Sequence, residues 1–237
     1  MAQMLSKGDS AAKVKRAVRR HLRLSRRQPN KEAQKLAERI VGPLSALEDA
    51  LANASAAAEA AQDAFDDWHQ EDQLLDQHVR RLGFRCREWD AIRSGDQTLV
   101  RVFGGMSPYE VTRAPRHKQP DLVAKIVVRA RELPDGHTAR DMIDELSRLA
   151  DSSRKAHRAY LDAEQRAGAA NASVDLARTT VIRAYRDNYI DIERAAGREA
   201  AESCFPLIRR SRRKDDIDDE RKLPPEAEED GSDDIIE

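Results

Sequence analysis

Seven ionisable side chains fall within thirteen residues near the middle of the chain: Asp66, Asp67, His69, Glu71, Asp72, Asp76 and His78. On a helix, Asp66 and His69 stand three apart and Asp72 and Asp76 four apart, so each pair shares a face. Carboxylate-bridged di-metal bundles take a Glu from each of two helices and a Glu-x-x-His pair from each of two others. This chain contains no Glu-x-x-His, and the stretch that could face the cluster, residues 155–170, offers only His157, Asp162 and Glu164. The spacing is that of a solvated helix face. No metal and no cofactor is expected from it.

Nucleophilic chemistry finds no better footing. The two cysteines, Cys86 and Cys204, form neither a disulfide framework nor a metal-ligand spacing. Cys86 sits in an apolar stripe, where a thiol serves as a small apolar group. Gly104-Gly105 belongs to neither of the phosphate-binding glycine patterns. No catalytic constellation is present, and the expectation is a protein that is not an enzyme.

Charge is the third source of chemistry. A formal net charge of -1 conceals a strong segregation: residues 1–30 carry nine Lys/Arg against Asp9 alone, while residues 215–237 carry twelve Asp/Glu against Arg221 and Lys222. Lys13, Lys15, Arg16, Arg19, Arg20, Arg23, Arg26 and Arg27 could neutralise several phosphates. They lie in a plausible helix over residues 8–27, with Val14, Val18 and Leu22 on one side. No aromatic side chains interleave with them, as they do in single-strand stacking platforms. No recognition-helix motif follows. Any nucleic-acid binding would therefore be independent of sequence, and the basic segment would otherwise be solvated or screened by the acidic tail.

The elements that must position these groups are helices. Charged residues make up 36% of the 237 and aromatics only 4%, a composition that suits packing along thin seams in place of a thick core. Two heptad stripes dominate. The first runs Leu44, Leu47, Leu51, Ala54, Ala58, Ala61, Phe65, Trp68, Asp72, Leu75, Val79, Leu82, Cys86, Trp89; the second runs from Met142 to Ala184, broken only by Ser153. A repeat of 3.5 residues held this long makes a seam that must find a partner helix. Beyond Val181 the second stripe changes phase, with Tyr185, Tyr189, Ile192 and Ala196 taking over and Asn188 and Asp191 falling outside the register, which is a stutter.

The resulting expectation is an all-α, elongated antiparallel helical hairpin, coiled-coil-like, with short accessory helices and a small connector cap. Residues 1–30 form a basic arm, partly helical. Residues 31–94 hold a short helix, capped by Asn30, and the first long helix, entered at Gly42-Pro43. Residues 95–137 make the cap, with one helix from Asp121 to Leu133 and an undecided strand or apolar turn over Thr98–Phe103. Residues 138–206 hold the second long helix, with Thr138 and Asp141 as an imperfect capping box and Pro206 as its stop. Residues 207–237 form a basic, then acidic tail with too little apolar content to fold alone.

Side-chain sizes suggest a pairing register in which facing residue numbers sum to about 231. That register sets Phe65 and Trp68 against Ala167 and Ala163, large against small, and Asp72 against Tyr160. Ala58 and Ala170 then mark a close approach. A two-helix seam leaves Ile182, Tyr185, Tyr189, Ile192 and Phe205 under-covered, a candidate surface for self-association or a protein partner. The functional expectation is a non-enzymatic structural or protein-interaction element acting through helix–helix contacts. The alternative is a sequence-independent nucleic-acid-associated protein using the basic arm. No apolar run reaches the length of about 18 residues that a membrane helix needs, so no membrane partner and a cytoplasmic location are expected.

Overall fold

The computed structural model describes residues 4–93 and 95–206. Its helices are α1 (Ala11–Ser25), α2 (Lys31–Glu38), α3 (Val41–Ile92), α4 (Thr98–Phe103), α5 (Pro108–Thr112), α6 (Gln119–Ala130), a 3-10 turn (Arg140–Met142), α7 (Ile143–Ala196) and α8 (Arg198–Cys204). Among the described residues there is no strand. The fold is an all-α hairpin: α3 and α7, of 52 and 54 residues, pack antiparallel against each other. At 1.5 Å rise per residue each spans about 80 Å.

The hairpin is held at its two ends. At the cap, Leu75, Val79, Leu82 and Cys86 of α3 and Leu146 and Leu149 of α7 enclose a core with Phe103, Val111, Val123 and Ile126 from the connector helices. At the base, Leu44 and Leu47 of α3 and Val181, Tyr185 and Ile192 of α7 enclose a second core with Val14, Val18, Ala33, Ile40 and Phe205. Each fully buried Leu, Ile or Val contributes about 1.5–3 kcal/mol, so stability is concentrated where third and fourth helices complete the burial. Between Leu47 and Trp68 on α3, and between Ala163 and Val181 on α7, no side chain is fully buried. Two cylinders alone cannot surround a residue.

The register differs from the one expected from size. Trp68 stacks on Tyr160 with ring centroids 5.5 Å apart and packs on His157 at 4.4 Å, and Phe65 meets Tyr160 at 5.5 Å. Facing numbers therefore sum to about 225–228, roughly one helical turn away from the expected pairing. Aromatic rings gain from offset and edge-to-face contact with one another, which outweighs filling against alanine. Tyr160 consequently does not reach Asp72; its hydroxyl donates to Glu164 at 3.3 Å. Ala58 is exposed and Ala170 half-buried, so neither marks a tight approach.

Local boundaries follow identifiable chemistry. Residues Thr98–Phe103 are a helix, neither strand nor irregular turn, because Asp90 of α3 accepts from Thr98 N at 2.7 Å and from Leu99 N at 3.0 Å. A carboxylate on the first free N–H groups stabilises a helix start, here supplied by another helix. The expected Thr138–Asp141 capping box is absent: His137 Nδ1 takes Ala139 N at 3.0 Å, and α7 begins at Ile143 after the 3-10 turn. The second long helix does not reach Phe205. It stops at Gly197, whose φ of +85° few L-residues adopt, and α8 folds back. Asn188 does not leave the seam at the stutter; it is buried and donates through Nδ2 to the Ala37 carbonyl at 3.4 Å.

Candidate functional site

The basic segment is not a free arm. Ser10 caps α1, accepting from Lys13 N at 3.3 Å, and Asp9 pairs with Lys13. Val14, Val18 and Leu22 are buried against the base, as is His21, so the helix is pinned along its whole apolar side. Amphipathic spacing then forces the cations outward. Lys13, Arg16, Arg19, Arg20, Arg23, Arg26 and Arg27 are exposed, and Lys15 is half-buried. Ala12, Lys15, Arg16, Arg19, Arg20 and Arg23 line an open groove of about 690 Å³.

Part of this charge is already matched. Glu48 of α3 pairs with Arg19 at 2.6 Å and with Lys15 at 3.6 Å. Among the described residues, Arg16, Arg20, Arg23, Arg26 and Arg27 have no ion-pair partner. Arg16, Arg20, Arg23 and Arg27 follow one another at four, three and four residues, so they form a stripe along one helix side. Successive members of such a stripe rise about 5 Å along the axis. Arg26 and Arg27 also stand at the C-terminal end of α1, where the helix dipole favours cations.

Under the stripe lies a sealed polar pocket of the base core. His21 is fully buried, and its Nδ1–H donates to the Cys204 carbonyl at 2.9 Å. Phe205 lies over the imidazole at 4.1 Å and Tyr185 meets it edge-on at 5.5 Å. Burial pulls the His21 pKa down to about 4, so the ring is neutral near pH 7. Burial also pushes the Tyr185 phenol up. Among the described residues His21 Nε2 and the Tyr185 hydroxyl have no hydrogen-bond partner.

This packing overturns the expected association surface. Ile182, Tyr185, Ile192 and Phe205 are 0–3% exposed, and Tyr189 is half-buried with its ring 5.2 Å from Phe205. The helix at residues 11–25 and the turned-back α8 cover them.

The acidic and histidine cluster is split among structural tasks. Asp66 and Asp67 are exposed. Asp72 Oδ2 pairs with Arg116 Nε at 3.2 Å, and Gln119 donates to Asp76, so the two carboxylates dock the connector onto α3. Burial, reinforced by Asp76 and opposed by Arg116, raises the Asp72 pKa. His78 Nδ1 bonds the Leu74 carbonyl at 2.9 Å, and His157 stacks on Trp68. Among the described residues no three His, Cys, Asp or Glu side chains converge as metal ligands. Cys86 is buried in the cap core with its thiol pushed up to about 12, and Cys204 is buried in the base with its thiol also raised by burial.

Sequence reasoning missed Glu48, Arg116 and Asp90, whose partners lie on other elements. Nothing local in the sequence marks them. Comparison with known protein families, with curated proteins and with solved structures finds no match to this chain. No helix among the described residues is long and apolar enough to cross a membrane.

Proposed function

We propose that the protein is a non-enzymatic helical interaction element, a spacer that presents different surfaces at its two ends. Supporting this, exposed large apolar side chains concentrate at the cap: Phe84, Ile92, Val100, Tyr109 and Val128 are 55–83% exposed. Phe84 and Met142 line an open groove of about 890 Å³ there, with Arg81, Arg85 and Glu145 on its rim. Exposed apolar side chains set among charged ones offer a protein partner both area to bury and groups to pair. The two thiols, by contrast, are sealed in the two cores, where burial keeps them protonated and inert. The exposed apolar residues of the cap carry this reading.

The experiment compares partners recovered with the intact chain and with Phe84→Ser/Ile92→Ser. Partners shared by both would leave the cap without a role and overturn the reading. Loss confined to the variant, with unchanged helical circular dichroism, supports it.

A second reading is favoured by the stripe of arginines on α1: the base binds phosphate backbones without regard to sequence. A helix docked on the base and holding its cations outward loses little backbone freedom on binding. A gel shift at low and high salt tests it. Binding that persists unchanged at high salt, or no binding at low salt, removes this reading.

A further inference from the structure

The described chain ends against α1, the helix that carries the basic stripe. His21, in the middle of α1, bonds the Cys204 carbonyl and lies against Phe205 at 4.1 Å, and Pro206 is buried beside them. Residues 207–237 therefore continue from a point packed against the buried side of α1, one helix width from the exposed groove lined by Lys15, Arg16, Arg19, Arg20 and Arg23. They lie outside the described residues, but their sequence is informative. Residues 207–214 carry Arg209, Arg210, Arg212, Arg213 and Lys214, which a cationic groove repels. Asp215, Asp216, Asp218, Asp219 and Glu220 follow directly.

We infer that the acidic run Asp215–Glu220 of the same chain seats on the arginine stripe of α1 and occupies the positions a phosphate backbone would take. Three observations carry the inference. The charges are complementary: the run holds five carboxylates, and the four stripe residues Arg16, Arg20, Arg23 and Arg27 have no ion-pair partner among the described residues. The reach is sufficient: the eight residues between Pro206 and Asp215 extend to about 30 Å at 3.3–3.6 Å each, against about 22 Å for the whole of α1. The tether favours this occupant over a second copy, because a covalent connection of only eight residues holds the run at an effective concentration of about 1 mM. The acidic tail is then a built-in competitor. The surface of α1 accepts an acidic peptide in cis and opens to external polyanions when that peptide is displaced. The inference deepens the phosphate-backbone reading of α1 and rests on it only for the identity of the external ligand.

The test uses the full chain and a full-length variant neutralised in the run alone, Asp215→Asn/Asp216→Asn/Asp218→Asn/Asp219→Asn/Glu220→Gln, which alters none of the described helices. The probe is a fluorescein-labelled peptide of residues 213–224. With an effective concentration near 1 mM in cis, it should bind the neutralised chain about tenfold more tightly than the native chain. That binding should vanish at about 0.5 M salt. It should also vanish when Arg16→Gln/Arg20→Gln/Arg23→Gln is added, exposed changes to a good helix former whose fold is checked by circular dichroism. Equal affinity for the two chains, or indifference to the arginine changes, overturns the inference. So does blocking that grows with protein concentration, since the occupant is then the tail of another copy. A second probe, a labelled single-stranded oligonucleotide of about 16 nucleotides, separates the two claims. If the peptide shows the stated pattern and the oligonucleotide binds neither chain, the seat stands and the nucleic-acid reading falls. If the oligonucleotide binds both chains alike, the tail does not occupy the stripe.

Discussion

Trp68 of α3 lies on His157 of α7, with ring centroids 4.4 Å apart and planes tilted by 34°. This contact fixes the register of the hairpin just where the stalk meets the cap. Phe65 and Tyr160 continue the aromatic ladder on the stalk side, and Arg116 reaches over Trp68 at 6.0 Å from the cap. Truncating a buried Trp typically costs about 3–5 kcal/mol, so Trp68→Ala should lower stability by that order. His157→Ala should cost less, and the pair should show a coupling of about 0.5–1.5 kcal/mol in a double-mutant cycle read by chemical denaturation. Additive losses would place the register elsewhere.

Acid should loosen the base through His21. The folded-state pKa, held at about 4 by burial, lies below the unfolded value of 6.5. The unfolded chain therefore binds more protons as pH falls below 6.5, and stability declines from there until the folded ring also titrates near pH 4. The full loss is about 3 kcal/mol from a shift of this size. Denaturation midpoints measured from pH 7 to 4 should show this slope in the native chain, and His21→Gln should remove it. An unchanged slope in His21→Gln would assign the loss to other groups.

At Gly83 of α3, α5 of the cap packs directly on the long helix. A Cβ there would meet Pro108 Cγ at 2.2 Å and Pro108 Cβ at 3.0 Å. Gly83→Ala raises helix propensity yet should destabilise, since overpacking costs about 1–3 kcal/mol and exceeds the propensity gain of about 1 kcal/mol at its upper end. Hydrogen exchange should show faster opening of α5 with the base unaffected. A more stable variant would mean that α5 shifts freely.

Asp90 holds α4 by its carboxylate. Burial raises its pKa, but the bonds from Leu99 and Thr98 outweigh this and leave it lowered. A lowered carboxyl contributes stability at neutral pH that is lost as pH falls below its unfolded value, near 4. Asp90→Ala should cost about 0.5–2 kcal/mol, the range for losing a helix cap, and the deficit should shrink in acid. Thermal melts at pH 7 and pH 3 check both parts.

Gly197 tests why α7 stops. Its φ is +85°, and among the described residues nothing beyond its immediate chain neighbourhood lies within 4 Å of a Cβ built there. Gly197→Ala therefore meets no clash and should still destabilise by about 1–3 kcal/mol from backbone strain alone. A neutral result would show that α8 can re-aim at no cost.

The sequence by itself determined the two long helices, their heptad seams, the cap between them and the amphipathic character of α1, because these follow from periodicities of three and four residues that each helix carries alone. Tertiary structure decided the rest. Pairing register depends on which rings meet across the seam, and Trp68, His157 and Tyr160 lie about ninety residues apart in the chain. The fate of Tyr185, Ile192 and Phe205 depended on whether α1 folds onto them, a question of burial between distant elements. The helix at Thr98–Phe103 needed a carboxylate from Asp90, eight residues back on another helix. The same docking turned a string of cations into a fixed exposed stripe: burial of Val14, Val18 and Leu22 sets the direction in which Arg16, Arg20 and Arg23 must point. Side-chain periodicity is local and legible, whereas the choice of partner for each face is settled only by the free energy of covering it.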